Sequence, residues 1–229
     1  MITDTMHIDD KVTKALLKYN THPSIIKIKE SNTNIPIFKF NHTTVEVIDD
    51  IIKNIDVNKA SSKESIPAKI LKINNDIFSP IICNIFNSGL DNNTFPSTLK
   101  CAEIKPVFKK DDRCNKENYR PVSLLKVCSK IHEKVLYGQI NSHFEPIFSP
   151  LQCGFRKGYS AQYCLLALLE KWRKALDNKK SAGMLLTDLS KAFDCIRHDM
   201  FIAKCHAYGV EFNSLKYIYD YLFTILLKI

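Results

Sequence analysis

An α+β fold is the class this 229-residue sequence predicts, on three observations. Apolar residues recur at helical spacing over much of its length, as in Val47, Ile48, Ile51, Ile52 and Ile55. Two short stretches break that period: residues 102–108 alternate, and residues 183–189 form a compact apolar run of strand length. Helices and strands do not follow one another in strict alternation, which argues against a parallel α/β plan.

Residues 1–37 show weak periodicity and are expected to be a connecting segment. A helical region is expected over 38–95. Its first helix starts after Asn41, with Thr43 or Thr44 available to cap and Glu46 in the first turn. A second starts near Ser65, where Pro67 fits the first turn, and a third runs from about Asp76 to Gly89. After Pro96 the alternation of residues 102–108 reads as a strand, with Pro106 pointing to an edge position. A charged loop follows over residues 109–118. Long helices are then expected over about 124–144 and 160–177, the latter with Leu165, Leu168, Leu169, Trp172 and Leu176 as its apolar stripe. Residues 183–189 are expected to be a buried strand.

Composition narrows the function classes. An apolar share of 45% with 25% charged residues excludes global disorder. The net charge of +9 favours polyanion partners, because lysine and arginine displace counterions condensed on phosphates. No apolar run reaches membrane-spanning length, so no membrane partner is expected. The eight cysteines are scattered without a CxxC pair, and the first ten residues are polar and acidic. Reduced thiols and an intracellular location, cytoplasmic or nuclear, are the expectation. Cys195, His198, Cys205 and His206 come nearest to metal-ligand spacing, but no second clean pair accompanies them.

The sharpest oddity is Asp188. Alternation places Leu186 and Asp188 on one face of the expected strand, and a carboxylate there is costly unless it is paired or holds a cation. Spacing alone leaves open that Asp188 caps the following helix. Its surroundings, Leu186-Thr-Asp-Leu-Ser-Lys-Ala-Phe-Asp194 followed by His198, resemble motif A of the reverse transcriptases of non-LTR retrotransposons and group II introns. Further blocks stand in the same order as in that family. Residues 118–125 (NYRPVSLL) resemble the fingers motif, and residues 152–158 (QCGFRKG) the block after it. Upstream, Phe86-Asn-Ser88, Phe95-Pro96 and residues 102–110 are similar to the approach in jockey-like elements. The resemblance covers roughly residues 38–222.

The resemblance implies a right-hand polymerase, with residues 96–229 as fingers and partial palm behind the helical region 38–95. It implies an RNA template, a DNA primer and dNTPs as partners, and two magnesium ions as cofactors. Asp188 would be the catalytic carboxylate and a metal ligand, with the carbonyl of Leu189 beside it. Lys109 and Arg120 would neutralise the triphosphate. Phe193 would lie under the incoming sugar and select dNTPs. Gly154, Phe155 and Arg156 would sit near the templating base. Read without the family, Phe193 is also a core residue, Asp194 a turn or cap residue, and Lys109, Lys110, Arg156 and Lys157 charged surface.

Departures from the family pattern set the expectation for activity. Residues 59–67 (KASSKESIP) lack the usual glycine and carry Glu64 where Asp is usual, Ala161 stands in place of Thr, and the tail after Leu222 diverges. The Pro-Gln-Gly block of motif B and the Asp-Asp hairpin of motif C do not occur, since Asp9-Asp10, Asp49-Asp50 and Asp111-Asp112 lie upstream in other settings. The expectation is a truncated domain, with the thumb and the rest of the polyprotein missing. It would be inactive alone, a residual nucleic-acid-binding module or a relic.

Overall fold

The computed structural model describes residues 3–31, 34–63, 65–189, 192, 195–223 and 226–228. The chain forms two compact units, one of residues 1–139 with 197–229 and the other of residues 140–196. Helices joined to a small sheet make the fold α+β.

The expected connecting segment is instead two helices, α1 (Thr3–Tyr19) and α2 (Pro23–Ser31). Their apolar positions are sparse because each buries only a narrow stripe. Val12, Ala15 and Tyr19 of α1 and Ile25 of α2 are buried, and α1 packs on α8 (His198–Ala207) and α9 (Phe212–Phe223). Tyr19, Ile25 and Ala203 share one cluster with Leu16, Met200 and Ala207 against it. That partner lies about 180 residues away, as the Tyr19–Asp199 separation shows, so a local pattern could not announce it.

The three expected upstream helices are present as α3 (Val45–Lys53), α4 (Ala68–Ile73) and α5 (Asn75–Asp91). Thr44 is the N-cap residue of α3, without a side-chain capping bond, and Pro67 that of α4. Ile48 and Ile52 of α3 and Phe86 of α5 are fully buried, and α3 packs along α5. Just before α4, Ser65 Oγ accepts the Val127 N–H and Ser62 N–H donates to the Leu125 carbonyl. These bonds root the hairpin that follows.

That hairpin pairs β1 (Cys101–Phe108) with β2 (Tyr119–Leu125), antiparallel, with Val107 opposite Arg120 and Lys105 opposite Val122. The sequence pattern had pointed to the first strand alone. β3 (Leu226–Lys228) adds parallel to Cys101–Glu103, giving the order β2-β1-β3. At Pro106 only β2 is paired, so that side of β1 is an edge where a missing N–H costs nothing.

α6 (Val127–Phe144) buries Ile131, His132 and Val135 against Phe86, Phe95 and Tyr217. Gly209 closes the turn before α9. Its φ is +86°, and a Cβ there would stand 2.8 Å from the Pro36 carbonyl oxygen. The close approach lets Phe38 N–H donate to Gly209 O and Glu211 N–H to Phe38 O, each at 2.8 Å.

In the unit of residues 140–196, α7 (Ala161–Asp177) starts as expected after Ser160. Its stripe is not buried: Leu165, Leu169 and Leu176 are exposed. Residues 183–189 are not a strand either, and Leu185, Leu186 and Leu189 are 88%, 79% and 78% exposed. A strand needs a neighbour for its backbone groups, and the described residues of this unit contain no other strand. Among the described residues no helix is long and apolar enough to cross a membrane, and the eight cysteines are free.

Candidate functional site

The hairpin gathers two of the expected residues. Side chains alternate along a strand, and directly opposed residues of an antiparallel pair share a face. The register therefore puts Lys105, Val107, Lys109, Arg120 and Val122 on one face, and all five are exposed. Lys109 continues the alternation just past β1, its N–H donating to Asn118 O at 2.8 Å. The opposite face carries Phe108 on Tyr119, ring centroids 5.5 Å apart, and the buried Ala102. Among the described residues Lys105, Lys109 and Arg120 make no ion pair, whereas neighbouring Lys110 faces Asp111 at 3.9 Å. Glu103, at the root of the same face, accepts the Lys63 N–H at 3.2 Å, and the three cations toward the tip of the twisted ribbon suit a polyphosphate.

What holds the hairpin at its root is a buried pair that sequence reading missed. Lys100, one residue before β1, donates to Asp220 of α9 at 2.8 Å, with side chains only 4% and 8% exposed. Asp220 also accepts the Phe95 N–H at 2.7 Å. An acid inside the apolar run 215–223 was the available signal. Nearby, His132 Nε2 and the Tyr217 hydroxyl are 2.6 Å apart, and burial pushes the imidazole down to about 4. Burial raises the Glu133 carboxyl, against the hydrogen bond it accepts from Tyr221.

The expected template block lies in the other unit. Phe155 is 86% exposed with φ +62°, a left-handed conformation that costs an aromatic residue about 1–3 kcal/mol. Gly154 has open space where its Cβ would be, so no close backbone approach explains it within this chain, while Gly158 at φ +83° needs to be glycine. Arg156 is engaged within its own loop. Its guanidinium donates to Glu145 Oε1 at 2.8 and 3.1 Å and to the Ser149 carbonyl at 3.0 Å, and it stacks over Tyr159 at 4.2 Å. The bond to Glu145 raises its pKa further, and its side chain is only 8% exposed. Arg156 thus builds the loop, leaving Phe155 as the residue the loop presents.

Asp188 and Leu189 are exposed on the irregular stretch 181–189. Phe193, expected under the incoming sugar, and Asp194 lie outside the described residues. No group of three His, Cys, Asp or Glu side chains among the described residues is placed to hold a metal ion, which includes the residues 195–206 considered above. Magnesium needs several oxygen ligands at near-octahedral geometry, and one exposed carboxylate does not fit that need. Lys109 and Arg120 belong to one unit, and Gly154, Phe155, Arg156, Asp188 and Leu189 to the other.

Lys109, Arg120, Phe155 and Asp188 all fall within one stretch of the chain that a known class of protein matches. The sequence profile of the reverse transcriptase (RNA-dependent DNA polymerase) family matches residues 107–227, just over half of the chain. The chain belongs to that family. It is 29% identical over 164 residues to a probable RNA-directed DNA polymerase from transposon BS of Drosophila melanogaster, covering 70% of this chain and 18% of that protein. It is 26% identical over 158 residues to the RNA-directed DNA polymerase from mobile element jockey of the same fly, covering 68% and 17%. To the probable polymerase from its transposon X-element it is 32% identical over 118 residues, half of this chain and 13% of that protein. The likeness to non-LTR retrotransposon reverse transcriptases seen in the sequence is thereby shown. The chain spans under a fifth of these curated relatives' length.

Proposed function

We propose that this chain supplies the fingers and part of the palm of a retrotransposon RNA-directed DNA polymerase, with its polymerase part starting near residue 96 and the helices of 38–95 upstream. The observation that carries the proposal is the hairpin register, which aligns Lys105, Lys109 and Arg120 on one exposed face. A dNTP triphosphate is the ligand that face suits, Arg120 as a planar fork and Lys109 as a point charge. Phe155 is the template contact, offering an aromatic surface to a base. Asp188 is the catalytic carboxylate, Leu189 its neighbour in the same site and Phe193 the residue under the sugar. RNA template and DNA primer are the nucleic-acid partners.

The test separates binding from catalysis. Equilibrium dialysis of labelled dTTP should show saturable binding that Arg120→Ala weakens about tenfold, the loss of one charge-assisted contact of about 1.4 kcal/mol. Primer extension on poly(rA)–oligo(dT) with magnesium should give no product with the 229-residue chain alone, because the described residues supply no metal cluster beside Asp188. Extension abolished by Asp188→Ala would show that the site is complete. Absence of dTTP binding in the unaltered chain would sink the proposal. A second reading, nucleic-acid binding without catalysis, is favoured by the exposure of Asp188 and predicts binding with no extension under any condition.

A further inference from the structure

Away from the hairpin face, a pocket of about 500 Å³ opens between the segment joining α3 to α4 and the outer face of α6. That volume lies in the range of roughly 300–1,000 Å³ typical of small-ligand sites. Lys130, Lys134 and Tyr137 line it from α6 at spacings of four and three residues, which places them along one face over about 10 Å. Lys59 faces them from the other wall, with Ile55 below. None of the three lysines forms an ion pair among the described residues.

Each of the pocket's two acids holds a hydrogen bond of its own. Glu133 accepts the Tyr221 hydroxyl of α9, and Asp56 accepts the Asn58 N–H at 3.0 Å within its own turn. Lys130 is anchored by donating to the Ala60 carbonyl, which sets the wall's geometry. Burial and the charge of Lys59 lower its pKa, and the Glu133 carboxylate offsets this only in part, so the two ammonium groups in the pocket repel. An anion bridging them would relieve that repulsion. Tyr137 is 56% exposed, an aromatic ring in the same pocket wall as Lys130 and Lys134. Basic side chains alternating with an open ring are the composition of single-strand nucleic-acid sites, where phosphate meets lysine and a base stacks.

We propose that this pocket is a second binding site for single-stranded nucleic acid, separate from the hairpin face, with Lys59, Lys130 and Lys134 taking backbone phosphates and Tyr137 stacking on a base. The inference rests on the reading of the chain as a nucleic-acid-handling protein, and it adds a site that holds a strand outside the proposed polymerase groove.

The experiment is filter binding of a labelled (rU)12 oligonucleotide to the full 229-residue chain at several salt concentrations. It compares the unaltered chain with Lys59→Gln/Lys134→Gln, with Tyr137→Ala, and with the hairpin variant Lys109→Gln/Arg120→Gln. Far-UV circular dichroism checks that each variant keeps its helices. The pocket double variant should lower the slope of log affinity against log salt by about 1.4, two phosphate contacts at about 0.7 each. Tyr137→Ala should weaken binding about tenfold or more with the salt slope unchanged. The hairpin variant should lose dTTP binding while keeping the Tyr137-dependent part of (rU)12 binding. Pocket variants that bind (rU)12 as well as the unaltered chain overturn the site, whatever dTTP does. Equal loss of slope for a lysine pair remote from both sites, Lys27→Gln/Lys29→Gln, also overturns it, as diffuse attraction would then suffice.

Discussion

Lys100→Met tests whether the buried pair under the hairpin root is as consequential as its geometry implies. Lys100 and Asp220 meet at 2.8 Å with almost no solvent access. The substitution keeps the chain's bulk but removes the ammonium that faces the buried Asp220 carboxylate, which keeps its other partners, the Phe95 N–H among them. Removing one partner of a buried pair costs about 3–5 kcal/mol, since the remaining charge loses its counter-charge in a place water does not reach. In a chain of this size each kcal/mol lowers the melting temperature by about 2–4 °C, so the fall should be about 6–20 °C. Urea unfolding followed by far-UV circular dichroism supplies the free energy and a thermal scan the temperature. Asp220→Asn keeps an acceptor for Phe95, although it strands the ammonium. The double change Lys100→Met/Asp220→Leu removes both charges and should recover most of the loss, because apolar groups of similar volume replace such pairs at little cost. A Lys100→Met effect within about 0.5 kcal/mol, the size of an ordinary surface substitution, would refute the reasoning. So would a double variant no more stable than the single one. Because Lys100 directly precedes β1, dTTP binding by Arg120 should weaken in step with the loss of stability.

Two further outcomes follow from the same core and from the loop of residues 145–159. His132 is held near 4 by burial against an ordinary value of 6.5, so the unfolded chain binds its proton more readily than the folded one. Its contribution is intact above pH 6.5, declines as pH falls and is fully lost below about 4, up to about 3 kcal/mol. His132→Asn should flatten that part of the urea midpoint against pH, and parallel profiles for the two proteins would contradict the assignment. Arg156→Lys retains charge but cannot make the fork to Glu145 and the Ser149 carbonyl. Amide exchange over residues 149–159 should quicken about tenfold, a local loss of about 1.4 kcal/mol, and unchanged exchange would show that the guanidinium does not hold the loop.

Helices α3, α4 and α7 were legible because each carries its own punctuation: Thr44 before α3, Pro67 before α4 and Ser160 before α7. Helical spacing and caps are local, and local order survives in any context that does not oppose it. The blocks around Arg120, Phe155 and Asp188 were equally legible, since family likeness is carried by short runs of sequence and was borne out at the level of the family. Which of those residues are available was not. Arg156 looked like Lys157 in the sequence, and only folding showed its fork closed on Glu145. The alternation of residues 102–108 announced one strand. That Lys109 and Arg120 share a face depends on the register with residues 119–125, a property of the pair.

Residues 1–31 show the same division from the other side. A narrow stripe of Val12, Ala15 and Tyr19 is faint as a pattern and becomes a core only against α8 and α9, where Tyr19 meets Ala203. Residues 183–189 show its converse, an apolar run that reads as a strand yet has no paired neighbour among the described residues. The sequence by itself determined the family, the helices α3, α4, α5 and α7 and the identity of the candidate residues, because these are written in contiguous runs. Tertiary structure decided which charges are buried, which face the hairpin shows and which arginine is already engaged, because burial and register depend on residues far apart in the chain.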